Sequence, residues 1–247
     1  LALRSFADGA LFAEVLGEGA PGILALHGWG RRGSDFRRAL SDLPVLAPDL
    51  PGFGASPAPS EVIGAQGYAR ALAPMLDAFT DPVLVVGHSF GGRVAMRLAA
   101  EHPDRIASVI LTGVPLLRLH APRKPSMAYR LLRLGNRMGL VPDEVMERRR
   151  RRSGSADYRA ASGIMRDILV KVVGETYEEE LRSVTHPIHL LWGSNDREVS
   201  VEVARRAMSI REDAGLPVSL EVVEGVGHLL PLEAPDRLRS AVMERSR

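Results

Sequence analysis

The chain has 247 residues, 45% hydrophobic and 25% charged, the make-up of a globular protein with room for one large α/β domain or two small ones. It has no cysteine, which excludes disulfides and thiolate chemistry, and no apolar run of the roughly 18 residues needed to cross a membrane. Net charge is only +2 but unevenly spread: residues 116–183 hold 15 Lys+Arg against 9 Asp+Glu, the remainder 17 against 21. No charged-then-apolar leader opens the sequence, so a cytoplasmic location is expected. Histidine and carboxylate spacing shows no metal-ligand cluster, and no metal is expected.

In chain order, Leu3–Phe6 and Leu11–Leu16 flank Asp8-Gly9, a hairpin signal. Ile23–Leu26 predicts a buried strand ending in His27-Gly28-Trp29-Gly30, and Ser34 is placed to cap a short helix running to Leu40. Val45–Ala47 is the next strand, followed by Asp49-Leu50-Pro51-Gly52-Phe53-Gly54. Helical spacing covers Tyr68 to Phe79, strand signals Val83–Val86, and small residues with an apolar i, i+4 face the helix Gly91–Glu101. Ile106–Leu111, Ile188–Trp192 and Val218–Val223 complete the strands, with helical pattern at Val201–Ile210 and from Pro235 to Glu244. Short links between alternating strands and helices predict an α/β fold: a mostly parallel, doubly wound sheet led by an antiparallel hairpin. Between Pro115 and about Thr185 the strand signal lapses. An insertion leaving the sheet at its carboxyl edge would lie over the place where such folds bind ligands. The expected division is a core of 1–114 and 186–247 with a helical cap over 115–185.

Gly87-His88-Ser89-Phe90-Gly91 joins the Val83–Val86 strand to its helix. Chance alone gives about 0.2 such five-residue matches in a chain of this composition, so the strand-turn-helix context decides. A serine hydroxyl is a poor nucleophile and needs an exposed position with a base beside it. A sharp turn gives the exposure, and its crowding calls for glycine on either side. Of seven histidines, His27 and His88 sit within strand–turn motifs and are expected to bond the local backbone. His102 precedes Pro103 at a helix end, and His120, His186 and His189 read as surface or packing residues. His228 lies in a glycine-rich loop directly after the last strand, again at the carboxyl edge, and is the candidate base. Asp196, following Ile188–Trp192, is the candidate acid. Glu198 is expected to point away, and Asp49 precedes Ser89 where nucleophile, acid, base is the expected order, so its expected task is to fix the Pro51–Gly54 turn. The N–H groups of Trp29 and Phe90 are the candidate oxyanion donors, each worth about 3–4 kcal/mol in a preorganised site.

These motifs, in this order, resemble those of α/β-hydrolase-fold enzymes over essentially the whole chain outside the cap. The resemblance implies an eight-stranded sheet with helices on both faces and a helical cap after the sixth strand. It also implies a Ser89–Asp196–His228 triad with the Trp29 and Phe90 amides as oxyanion hole, and neither metal nor organic cofactor. Epoxide hydrolases and haloalkane dehalogenases of this fold carry aspartate where Ser89 stands. Carbon–carbon bond hydrolases usually show tryptophan where this chain has Leu229; they stay open as an alternative, as do perhydrolases, thioesterases and a non-catalytic ligand receptor. The His-Gly-Trp-Gly and Asp-Leu-Pro-Gly-Phe-Gly stretches look like those of small carboxylesterases, including those acting on pimeloyl-carrier-protein esters, although His88 stands where that subgroup has tryptophan. The expected activity is therefore serine carboxylesterase. Trp29, His88, Met127, Tyr129, Leu132, Met138, Leu140 and Leu229 are the candidate substrate-binding residues. Arg130, Arg133 and Arg137 at helical spacing, then Arg148–Arg152, read first as a solvated face and second as a docking patch for an acidic acyl carrier. Nothing in the sequence supports nucleic-acid binding.

Overall fold

The computed structural model describes residues 2–119, 127–142, 144–145 and 156–246, without the side chains of Ala2, Ala128, Tyr129, Arg130 and Arg137. Eight strands form one sheet: β1 (Ala2–Phe6), β2 (Leu11–Leu16), β3 (Ile23–Leu26), β4 (Val45–Asp49), β5 (Val83–His88), β6 (Ile106–Thr112), β7 (Ile188–Gly193) and β8 (Val218–Val223). Their spatial order is β1-β2-β4-β3-β5-β6-β7-β8. β2 pairs antiparallel with both β1 and β4, and every pairing from β4 to β8 is parallel.

The central strand explains the apolar run in the sequence. Val83 and Val85 enter the core on one face of the sheet, Leu84 and Val86 the core on the other, so no position is left for a polar residue. Helices α2 (Ala65–Leu72), α3 (Phe90–Glu101) and α8 (Val201–Asp213) pack on the first face; α1 (Arg37–Leu40) and α10 (Pro235–Arg245) pack on the second. Between β6 and β7 the described residues form the helices α4 (Met127–Arg137), α5 (Ala156–Ala160), α6 (Gly163–Val173) and α7 (Glu178–Ser183), with non-regular stretches among them. The short α9 (Leu230–Glu233) precedes α10.

Three local expectations change. The predicted helix from Tyr68 to Phe79 is α2 followed by a 3-10 stretch, Ala73–Ala78; Pro74 at its start has no N–H to continue the α-helical ladder. Ser34 caps nothing: it lies inside a 3-10 turn, Gly33–Phe36, that has no side-chain cap. That turn is held from elsewhere, because Gly33 N–H donates to Asp49 Oδ1 at 2.9 Å. Asp8-Gly9 does turn the hairpin, but as part of a 3-10 turn with Ala7 and Asp8 at φ 49° and 53°.

The chain between β6 and β7 is stitched to the rest near both of its ends. Tyr177 N–H donates to Leu116 O at 2.9 Å. The fully buried guanidinium of Arg211, on α8, donates to the carbonyls of Leu181, Val184, His186 and Pro217, which ends α7 and starts β7.

Candidate active site

Ser89 sits between the end of β5 and the first turn of α3 with φ 50° and ψ −113°, a conformation costing a non-glycine residue about 1–3 kcal/mol. The surrounding glycines hold it there. A Cβ on Gly87 would lie 2.5 Å from Gly92 Cα, one on Gly91 2.2 Å from Leu26 O, and one on Gly92 2.1 Å from a Val114 methyl. Close packing of β5, α3 and β3 thus forces the hydroxyl out at the sheet's carboxyl edge.

Two later strands bring it partners. His228, after β8, places Nε2 3.1 Å from Ser89 Oγ and Nδ1 2.8 Å from Asp196 Oδ2. Asp196, after β7, is itself fixed: Oδ1 accepts from the N–H groups of Glu198 (2.9 Å) and Val199 (2.8 Å), leaving Oδ2 for the imidazole. Gly113, just past β6 at φ 58°, leaves the space that the ring occupies, since a Cβ there would stand 2.9 Å from His228 Cε1. The three side chains paired in the sequence reading therefore form one hydrogen-bonded chain.

The electrostatics suit a proton relay. Burial disfavours the imidazolium of His228, but the Asp196 hydrogen bond and charge, with Glu198 and Asp157 behind, outweigh it and hold its pKa above the ordinary value. For Asp196, burial opposes ionisation and is outweighed by the His228 hydrogen bond and the two N–H donors, so it stays ionised below the usual range. His88, whose ring centroid is 5.1 Å from that of His228, is pushed down to about 3 by burial and then by His228, so it stays neutral. It bonds Thr112 through Nδ1, 2.9 Å from Oγ1. His27 likewise is held near pKa 4 by burial and accepts the Leu50 N–H at 2.9 Å. Asp49 ties the other end of its turn, accepting from Ala55 N–H at 2.8 Å.

The loop carrying Trp29 is packed by aromatic edges. Trp29 meets Phe53 at 4.9 Å and Phe90 at 5.2 Å between ring centroids, and Phe90 meets Tyr68 at 4.9 Å. Among the described residues, no turn, loop or side-chain acceptor takes the N–H of Trp29 or Phe90. Phe53 was not singled out in the sequence; its signal was its place in the turn that follows β4.

Two cavities open at Ser89. The larger, about 180 Å³, is lined by Phe90, Pro115, Leu169, Val172, Val173 and Val199 among others; the smaller, about 120 Å³, by Gly28, Arg31, His88 and Leu229. This places Trp29, His88 and Leu229 at the site, although His88 is buried and held by Thr112. Among the described residues the helical part of the apolar wall comes from α6 and not from α4. Met127, Met138 and Leu140 are 67%, 64% and 74% exposed, Leu132 is half-buried, and none lines either cavity. The side chain of Tyr129, like those of Arg130 and Arg137, and all of His120 and Arg148–Arg152 lie outside the described residues. Glu198 corrects the expectation that it points away: Oε2 stands 3.6 Å from His228 Nε2, and it lines both cavities. The turn after Asp196 does not stay extended, because the Oδ1 bonds to the next N–H groups curl it back. Among the described residues no three histidines or carboxylates converge as metal ligands, and no helix is long and apolar enough to cross a membrane.

A strand-to-helix serine turn answered by an acid after β7 and a histidine after β8 is an arrangement this sheet topology shares with hydrolases. The pattern of the alpha/beta hydrolase family matches residues 23–241, and the chain belongs to that family. A pimeloyl-[acyl-carrier protein] methyl ester esterase of Chromobacterium violaceum is 44% identical over 108 residues, 42% of this chain and 40% of that protein. A 2-hydroxy-6-oxo-2,4-heptadienoate hydrolase of Pseudomonas putida is 27% identical over 88% of this chain and 86% of its own length. Among solved structures, a serine hydrolase involved in carbazole degradation superposes with a TM-score of 0.72 at 21% identity, covering 98% of this chain and 97% of its own, a likeness of fold.

Proposed function

We propose that the chain hydrolyses carboxylic esters through an acyl-enzyme formed on Ser89. The observation that carries this reading is the hydrogen-bonded run Asp196–His228–Ser89, with links of 2.8 and 3.1 Å, ending at an outward-turned hydroxyl. His228 Nε2 takes the Ser89 proton as Oγ attacks the ester carbonyl. The N–H groups of Trp29 and Phe90 receive the oxyanion, that of Phe90 at the positive end of α3. His228 then gives its proton to the departing alkoxide, and Asp196 stabilises the imidazolium between these steps. Water, deprotonated by His228, attacks the acyl-enzyme and releases the acid.

In this reading residues 115–185 act as a cap, with Leu169, Val172 and Val173 of α6 forming the acyl wall. The basic character of 116–183 adds an acidic acyl carrier as a macromolecular partner, in keeping with the name of the Chromobacterium violaceum relative. A fluorophosphonate probe labels Ser89, and p-nitrophenyl ester turnover disappears in Ser89→Ala. Unlabelled protein with no ester turnover refutes the proposal. The alignment with the Pseudomonas putida hydrolase over 88% of this chain favours one second reading, carbon–carbon cleavage of a vinylogous 1,5-diketone by the same triad. Cleavage of such a diketone alongside inactivity on every simple ester would select it.

A further inference from the structure

The two cavities at Ser89 share five wall residues: Trp29, Ser89, His228, Asp157 and Glu198. The last two are carboxylates, and the relay has no step for either. Glu198, on the loop after Asp196, brings Oε2 within 3.6 Å of the same His228 nitrogen that faces Ser89 Oγ. Asp157 reaches the site from α5, in the inserted segment. Two guanidiniums also line the cavities, but each is engaged. Arg31, in the smaller one, meets Asp35 at 2.6 Å; Arg93, in the larger one, is buried and donates to the Val172 carbonyl in the last turn of α6. Asp196 is hydrogen-bonded to His228, whose neutral base form leaves the aspartate charge uncancelled. Among the described residues that line both cavities, the charged side chains beside the neutral base form of His228 are carboxylates, Asp157 and Glu198; the Arg93 charge, bonded to a neutral carbonyl, stands in the larger cavity alone.

We infer that Asp157 and Glu198 form a charge filter over Ser89: the site takes esters that are neutral or cationic around the scissile bond and rejects those carrying a carboxylate, sulfonate or phosphate close to it. This rests on the ester-hydrolase reading above and names its substrate class. Like charges a few ångströms apart in a partly desolvated cleft repel strongly, whereas a charge beyond about one Debye length (~8–10 Å) is screened. A substrate anionic only at a distant group therefore passes. Hydrolysis itself creates a carboxylate at this spot, so the filter also weakens retention of the product acid.

The test compares kcat/KM for three esters of matched size: an uncharged butyrate ester, a monoester of a four-carbon dicarboxylic acid, and the butyrate ester of a quaternary-ammonium alcohol. Wild type, Glu198→Gln and Asp157→Asn are assayed at low ionic strength, and butyrate binding to each protein is measured by calorimetry. The anionic-to-neutral ratio is about 0.1 or below in the wild type. It rises about three- to tenfold in each variant and in the wild type at about 0.5 M salt, while butyrate binds each variant more tightly. A wild-type ratio near one overturns the filter, as does an unchanged ratio in variants that slow all three esters alike. Loss of side-chain packing alone would slow the esters together and leave the ratio fixed. Absence of turnover on the neutral ester, with no probe labelling at Ser89, condemns the hydrolase reading instead; equal butyrate affinity in all three proteins would then condemn the filter separately.

Discussion

At the carboxyl rim of the sheet, Ser89, Asp196 and His228 hang from strand ends whose main chain is fixed by neighbours, whereas α4, in the segment after β6, turns Met127, Leu131 and Leu134 outward. The rim is specified by clashes: replace Gly87, Gly91 or Gly113 and backbone or ring atoms collide. The segment above it is specified by amphipathic pattern, which needs only an apolar side and a polar one. What differs is tolerance. A rim position has one residue that fits, while a position on α4 accepts many.

The largest effect should come from the rim. Ser89→Ala removes the nucleophile and lowers kcat for a neutral ester by on the order of 10⁴- to 10⁶-fold with an unchanged circular dichroism spectrum. Retained turnover would break the assignment. Gly113→Val should follow, since its side chain enters the space of the imidazole at a residue with φ 58°. A displacement of about 1 Å costs roughly 10²-fold in kcat, with melting temperature reporting the strain separately.

A pH profile sharpens the comparison further. Neutral imidazole is the base, and the His228 pKa stands above its ordinary value, so kcat/KM rises through a midpoint above about 6.5 as the solution is made less acidic. Removing a carboxylate that favours the imidazolium moves this midpoint down, and Glu198→Gln should do so. An upward move would show that Glu198 does not act on His228. Because the folded pKa exceeds the unfolded one, the imidazolium adds stability below the unfolded value, and this is lost as pH rises through the folded one. The smallest effect belongs to α4: Leu134→Ser should leave kcat/KM for a small neutral ester within about twofold, since its side chain already meets water. Leu169→Ala on α6, by contrast, should raise KM severalfold.

The rim was legible because its chemistry needs rare combinations. Gly-His-Ser-Phe-Gly after an all-apolar strand, or Gly-His after the last one, leaves few alternatives for strand and helix alike. Helical periodicity in α4 showed an apolar stripe but not which side of it the rest of the chain covers. For that reason the sequence pattern points Met127, Met138 and Leu140 toward a pocket that, among the described residues, α6 lines instead. The place of Glu198 is hidden for a related reason: alternation along an extended strand breaks once a carboxylate captures the N–H groups two and three residues on, a bond that no spacing rule displays. Phe53 carries no site role in the sequence because its partners, Trp29 and Phe90, lie far from it along the chain and meet it only when three strand ends converge.

The stitch at Leu116 and Tyr177, with Arg211 clamping the return into β7, has a consequence for how such chains diversify. Both ends of the excursion are anchored by these bonds, and α6 is seated separately, with Ile168, Leu169 and Val172 in the core and the Val172 carbonyl bonded to Arg93. Doubling the length of a flexible excursion adds only about 0.6 kcal/mol of closure entropy. Under the cap reading proposed above, the stretch 117–160 is then exchangeable: a graft from another chain can reshape the entrance to the same site, provided it keeps the anchor bond, the core seat of α6 and the four carbonyls of the guanidinium.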